Sequence, residues 1–119
     1  MRRVTLMLAA MALMVSLFAV VAYAAEIQGT GNSETLFETQ NEGANDKIIG
    51  HRGEDQLFAD QFGSDTDKVK GNRQNDIIHV EDDDFDDTAD GGPGTDTCFI
   101  DRTSTESDET VSCEVILVP

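Results

Sequence analysis

The chain has 119 residues, with 24 acidic and 8 basic side chains, two cysteines, no tryptophan and a formal net charge of −16. That length is room for one small domain, and the sign of the charge excludes nucleic acid and disfavours anionic lipid headgroups as partners. Once residues 1–24 are set aside, only 26 apolar side chains remain and 6 basic side chains face 24 acidic ones. The apolar share is then about 27 %, against ~45–50 % in an average soluble domain. A chain so small and so acidic does not bury a core able to fold alone. It stays disordered unless something cationic holds it together.

The first element is a leader. Arg2 and Arg3 precede an apolar run from Val4 to Val21, and Ala22-Tyr23-Ala24 is an A-x-A cleavage signal. Residues 1–24 therefore read as a secretory signal peptide cleaved after Ala24, with no integral membrane span left afterwards. An uncleaved membrane anchor is the alternative, since the run is long enough to span a bilayer. Either way the remainder is expected outside the cytoplasm, where disulfides persist.

The remainder repeats. Residues 29–49 read GTGNSETLFETQNEGANDKII, residues 50–70 GHRGEDQLFADQFGSDTDKVK and residues 71–90 GNRQNDIIHVEDDDFDDTAD, and residues 91–99 open a fourth copy, GGPGTDTCF. Each copy starts with glycine, at 29, 50, 71 and 91. Five residues on come the acids Glu34, Asp55, Asp76 and Asp96. Two further on stand Leu36, Leu57, Ile78 and Cys98. A second half-copy has acids Asp46, Asp67 and Asp87, followed two places later by Ile48, Val69 and Ala89. An acid followed at +2 by a buried aliphatic suits a tight turn feeding a short strand, and glycines at the motif's first and fourth positions suit turns that need positive φ.

Such short strands are stable only when stacked. One coil per ~21 residues places the aliphatics in two ladders and brings equivalent acids to the strand spacing of ~4.8 Å. A carboxylate column that close repels itself. Without counter-ions it unfolds or takes up protons, and a hard divalent cation between turns removes the repulsion. Turn carbonyls supply the remaining oxygens of the six to eight that Ca²⁺ takes at ~2.3–2.6 Å.

These nonapeptides, G-G-x-G-x-D-x-U-x with U aliphatic, resemble the calcium-binding repeat of RTX (haemolysin-type) proteins. The closest copy is GGPGTDTCF, with Gly91, Gly92, Gly94 and Asp96 in place; GHRGEDQLF follows with Gly50, Gly53 and Asp55; GNRQNDIIH keeps Gly71 and Asp76 but has Gln74 in a glycine position. FGSDTDKVK keeps Gly63 and Asp67, NEGANDKII keeps Asp46, DDDFDDTAD has Asp87 and no glycine, and the first copy has Glu34 in the acid position. The resemblance implies an all-β, right-handed parallel β-roll, a β-helix-like solenoid, with Ca²⁺ held between neighbouring turns. Carried over, the strongest sites lie between Asp55 and Asp76 and between Asp76 and Asp96. Glu34/Asp55 and Asp46/Asp67 rank next, and Asp67/Asp87 last, because its turn lacks glycine.

Residues 81–90 hold seven acids, of which Asp82 to Asp84 read as a solvated loop. Cys98 and Cys113 in an exported chain read as one disulfide, stabilising by ~3 kcal/mol on the chain-entropy model. Val111–Val118 (VSCEVILV) reads as a strand capping the roll, since a solenoid's last coil has no neighbour; a sticky edge for another protein or the cell surface is the other reading. The expected division is leader 1–24, repeats 25–99 and disulfide-linked cap 100–119. No nucleophile–base constellation occurs, His51 and His79 fall in repeat register, and Gly91–Gly94 lacks the lysine of a phosphate loop. The chain therefore reads as a non-enzymatic, exported calcium-binding roll whose partners are calcium ions. The alternatives are a calcium-stiffened adhesion module with an unidentified extracellular or cell-surface partner, and a disordered polyanion holding divalent ions diffusely.

Overall fold

The computed structural model describes residues 24–39, 43–63 and 65–119. Apart from Ala24, the leader lies outside the described residues. Among those described, no helix is long and apolar enough to cross a membrane.

Among the described residues, ten short strands alternate between two sheets. One sheet contains β1 (Glu26–Gln28), β3 (Lys47–Arg52), β5 (Lys68–Arg73), β7 (Thr88–Asp90) and β9 (Glu109–Val111), in that order. The other contains β2 (Thr35–Phe37), β4 (Gln56–Phe58), β6 (Ile77–His79), β8 (Thr97–Phe99) and β10 (Val115–Leu117). Every neighbouring pair is parallel. The chain is thus a β-roll in which each coil adds one strand to each sheet.

The register follows from the aliphatics. Ile27, Ile48, Val69, Ala89 and Thr110 are successive partners on one sheet. Leu36, Leu57, Ile78, Cys98 and Ile116 are successive partners on the other. A one-residue slip would turn every one of these side chains outward. Between the sheets lies a narrow core of Ile48, Leu57, Ala59, Val69, Ile78, Val80, Ala89, Cys98 and Ile100. On the outer face of the second sheet, parallel register stacks the rings of Phe37, Phe58, His79 and Phe99, with centroids 5.0, 4.6 and 4.3 Å apart. His79 is a rung of that ladder, and its Nδ1 lies 2.7 Å from Glu81 Oε1.

Two expectations are corrected. The segment Val111–Val118 is not one strand. β9 and β10 end on opposite sheets, because the chain turns again between them, and Cys113 in that turn is disulfide-bonded to Cys98 with Cα atoms 6.0 Å apart. β10 pairs along β8 and leaves Val115, Ile116, Leu117 and Val118 exposed. Secondly, the motif's first glycines do not need positive φ. Gly50, Gly71 and Gly91 lie outside the left-handed region, which is occupied at the second and fourth positions by His51, Asn72 and Gly92 and by Gly53, Gln74 and Gly94. The first glycine is required by space. A Cβ at Gly50 or Gly71 would collide with the carboxylate of Asp55 or Asp76, and one at Gly91 with Asp96.

Gly71→Ala therefore overpacks the turn, with an expected loss of about 1–3 kcal/mol. Gly31→Ala, where a Cβ meets nothing within 4 Å, is expected to change stability by less than about 0.5 kcal/mol. Thermal melts of the two variants under identical conditions check the contrast.

Candidate metal centre

Each repeat acid sits one residue before a strand, where it continues the sheet's hydrogen bonding with its side chain. The N–H of Asp55 donates to Asp76 Oδ1 (2.9 Å) and that of Asp76 to Asp96 Oδ1 (2.7 Å); along the same edge the N–H of Glu34 donates to Asp55 Oδ1 (2.8 Å) and that of Asp96 to Glu114 Oε2 (2.8 Å). On the opposite edge the N–H of Asp46 donates to Asp67 Oδ1 (2.6 Å), that of Asp67 to Asp87 Oδ1 (2.7 Å) and that of Asp87 to Asp108 Oδ1 (3.3 Å). The fold thus aligns two columns of acids, one beside each sheet.

This arrangement uses one oxygen of each carboxylate and leaves the other. Oδ2 of Asp55, Asp67, Asp76, Asp87 and Asp96 is buried without a hydrogen-bond partner. These five side chains are at most 1 % exposed, so water does not reach them. Two other candidates differ. Both oxygens of Glu34 accept from Thr30, at 2.5 Å from its N–H and 2.8 Å from its hydroxyl. Asp46 accepts from Ala25 N–H through Oδ1 and from the N–H and hydroxyl of Thr39 through Oδ2. The glycines at 50, 71 and 91 leave the room that the Asp55, Asp76 and Asp96 carboxylates fill, while Gly53, Gly92 and Gly94 bring the turns against the preceding coil at Asn32, Asn72 and Gln74.

The column beside the first sheet holds carboxylates that the repeat pattern does not name. Glu38, Asp65 and Asp67, all buried, place ligand oxygens within 4.8 Å of one another. Asp65, Asp82 and Asp84 form a second such group, and Asp84, Asp87 and Asp108 a third. Neither oxygen of Asp65 has a partner, and Glu38 Oε2 and Asp82 Oδ2 have none. Asp82 and Asp84 are half-buried and only Asp83 of the three is exposed, which corrects the reading of Asp82–Asp84 as a solvated loop. The three groups run along the turns where glycine thins out, from Gly63 alone to none in residues 82–90.

Electrostatics follow from this crowding. Burial, opposed by hydrogen bonds from main-chain N–H and reinforced by neighbouring acids, pushes the carboxyl of Asp87 up to about 9, Asp67 to about 8, Asp76 and Asp82 to about 7 and Asp108 to about 6. Burial also raises Glu38, Asp55, Asp65 and Asp96. Nine acids are buried, and no lysine, arginine or histidine among the described residues is buried with them. A hard cation meets what this donor set lacks, since it takes only oxygens and binds the ionised form.

A family model described as the RTX calcium-binding nonapeptide repeat (4 copies) matches residues 42–62 and 63–98. No curated protein and no solved structure matches the chain.

The raised acids fix the pH dependence of the metal-free chain. Their folded-state values lie above the ordinary 3.8, so the folded form holds protons that the unfolded form has lost. The metal-free fold is favoured below about pH 4 and loses stability as pH rises from there towards 9. In excess chelator, acidification from pH 9 to pH 4 is expected to restore β-type circular dichroism. With saturating Ca²⁺, the fold is expected to persist at neutral pH and the ions to be released on acidification.

Proposed function

The chain is an RTX-repeat protein, and from that premise we propose that it binds Ca²⁺ between successive turns, that the ions are required for folding, and that it acts outside the cell after export by the leader at 1–24. The observation that carries this reading is the unpartnered, buried second oxygen on Asp55, Asp67, Asp76, Asp87 and Asp96. A buried ionised carboxylate without compensation is too costly to keep, and the five recur with the coil. Along the second sheet, Asp55, Asp76 and Asp96 would hold ions together with turn carbonyls. Along the first, Asp67 and Asp87 would do so with Glu38, Asp65, Asp82 and Asp84. Glu34 and Asp46 would orient the first coil, since local donors already take both oxygens of each. The role is non-catalytic, and calcium supplies folding free energy by mass action because it binds the folded form.

The test is far-UV circular dichroism of the purified protein, disulfide intact, titrated with Ca²⁺ and separately with Mg²⁺. A cooperative gain of β signal is expected with Ca²⁺ and not with Mg²⁺, which demands a near-ideal octahedron and gives up its waters reluctantly. Asp76→Ala is expected to weaken calcium binding by tenfold or more, about 1.4 kcal/mol, because Asp76 lies between Asp55 and Asp96 in its column. Asp83→Ala, at an exposed position, is expected to leave the titration unchanged. Full β structure in excess chelator at neutral pH would sink the reading.

A further inference from the structure

The basic residues are distributed as unevenly as the acids. Of the six in residues 25–119, five lie on the adjacent strands β3 and β5: Lys47, Arg52, Lys68, Lys70 and Arg73. Register places Lys47 beside Lys68 and Arg52 beside Arg73. Like charges directly opposite on neighbouring strands destabilise a sheet, yet two such pairs stand together in a chain where acids outnumber bases three to one.

Two of the three lysines have neighbours of opposite sign: Lys47 pairs with Glu26 at 3.5 Å and Lys70 with Asp90 at 3.9 Å. Arg52 and Arg73 make no ion pair among the described residues. The backbone also turns them outward. Along β3 burial alternates from Lys47 to Gly50 and then breaks, leaving both His51 and Arg52 exposed. The break falls at His51, and in β5 at Asn72, both with φ of 78°. Non-glycine residues enter this region only at an energetic cost, because Cβ crowds the following carbonyl. The two arginines share a groove of about 780 Å³ with Thr30, His51, Asn72 and Lys70, on the outer face of the first sheet.

We propose that Arg52 and Arg73 form an oxyanion site, taking a carboxylate, sulfate or phosphate group of an anionic ligand laid along the groove. A guanidinium presents a planar fork that matches such a group with two parallel, charge-assisted hydrogen bonds. Two forks at the strand spacing of ~4.8 Å can share one oxyanion or grip two successive ones, and the ligand turns their mutual repulsion into attraction. The chain's net charge repels anions at long range, so calcium loading of the acid columns strengthens anion binding.

The test is an NMR titration of the isotopically labelled protein in excess Ca²⁺ with sodium sulfate, against sodium chloride at matched ionic strength. Saturable shifts are expected at the Arg52 and Arg73 side chains and the amides of Thr30 and Asn72. Arg52→Gln/Arg73→Gln is expected to weaken binding at least tenfold while keeping the calcium-induced circular dichroism. Arg52→Lys/Arg73→Lys, which retains charge and loses the fork, is expected to fall between. Dextran sulfate, with neutral dextran as control, separates the two sources of the oxyanion: tighter binding per sulfate group assigns the site to an anionic polymer, equal binding to a free anion. Shifts that chloride reproduces, or that survive in the glutamine variant, would overturn the site. So would concentration-dependent self-association that the glutamine variant abolishes, which would assign the groove to the acidic run of a second copy.

Discussion

The structure depends on how one carboxylate is divided. At Asp55, Asp67, Asp76, Asp87 and Asp96, one oxygen accepts the N–H of the equivalent acid in the preceding coil, so the side chain does the work of a strand carbonyl. The second oxygen is left inside the turn, out of reach of water. The same hydrogen bond that sets the coil-to-coil register thus creates a row of buried charges. Register and charge cannot be separated: a chain that stacks its coils this way aligns its acids, and one that disperses its acids loses the last rung before every strand.

The apolar core does little to offset that repulsion. It holds one inward side chain per strand and the short row Ala59, Val80 and Ile100, and at β7 and β8 its strand positions shrink to Ala89 and Cys98. The disulfide ties this thin point to the turn between β9 and β10. Glu38 shows the balance at its most extreme. Its N–H bonds Phe58 O just as those of Ala59, Val80 and Ile100 bond the following strands, so it occupies an apolar row of the solenoid and is only 4 % exposed. Its Oε1 accepts the N–H of Gln61 and its Oε2 has no partner. An acid at a core position of a marginal fold makes physical sense when the adjoining turn holds a cation.

Most of the roll was legible in the sequence because period and chemistry coincide there. Leu36, Leu57, Ile78 and Cys98, and Ile48, Val69 and Ala89, recur at the coil length and are partners in register. The final coil was obscured by the loss of one signal at a time. Asp108 stands 21 residues after Asp87 and two before Thr110, but its turn has no glycine and its ladder residue is polar. Glu114 precedes Ile116 as the pattern requires, but falls 18 residues after Asp96 because the last coil is short. Asp65 was hidden by occupying the motif's fourth position, where glycine is expected. Glu38 was hidden because sequence spacing does not reveal that a strand end on one sheet faces a turn 27 residues away. The basic pairs on β3 and β5 needed the register before Arg52 and Arg73 could be seen as neighbours.

The two columns differ in how they present oxygen. Beside the second sheet the turns are glycine-rich, and the absence of a Cβ at Gly53, Gly92 and Gly94 lets each press against the backbone of the coil before it, at the main-chain carbonyls of Asn32, Asn72 and Gln74. Beside the first sheet the glycines thin out from Gly43 through Gly63 to none in Asp82–Asp90. As they do, carboxylates replace them: Asp65 at the fourth position, then Asp82 and Asp84, with Glu38 and Asp108 from flanking segments. A turn that cannot offer carbonyls through its backbone offers side-chain oxygens instead. The substitution has a price in charge, because each added ligand brings a full negative unit rather than a dipole. Burial is what chiefly pushes Asp67 up to about 8 and Asp87 to about 9, and these added carboxylates push the same way, so the proposed sites of this column depend more heavily on their cation than those of its glycine-built counterpart.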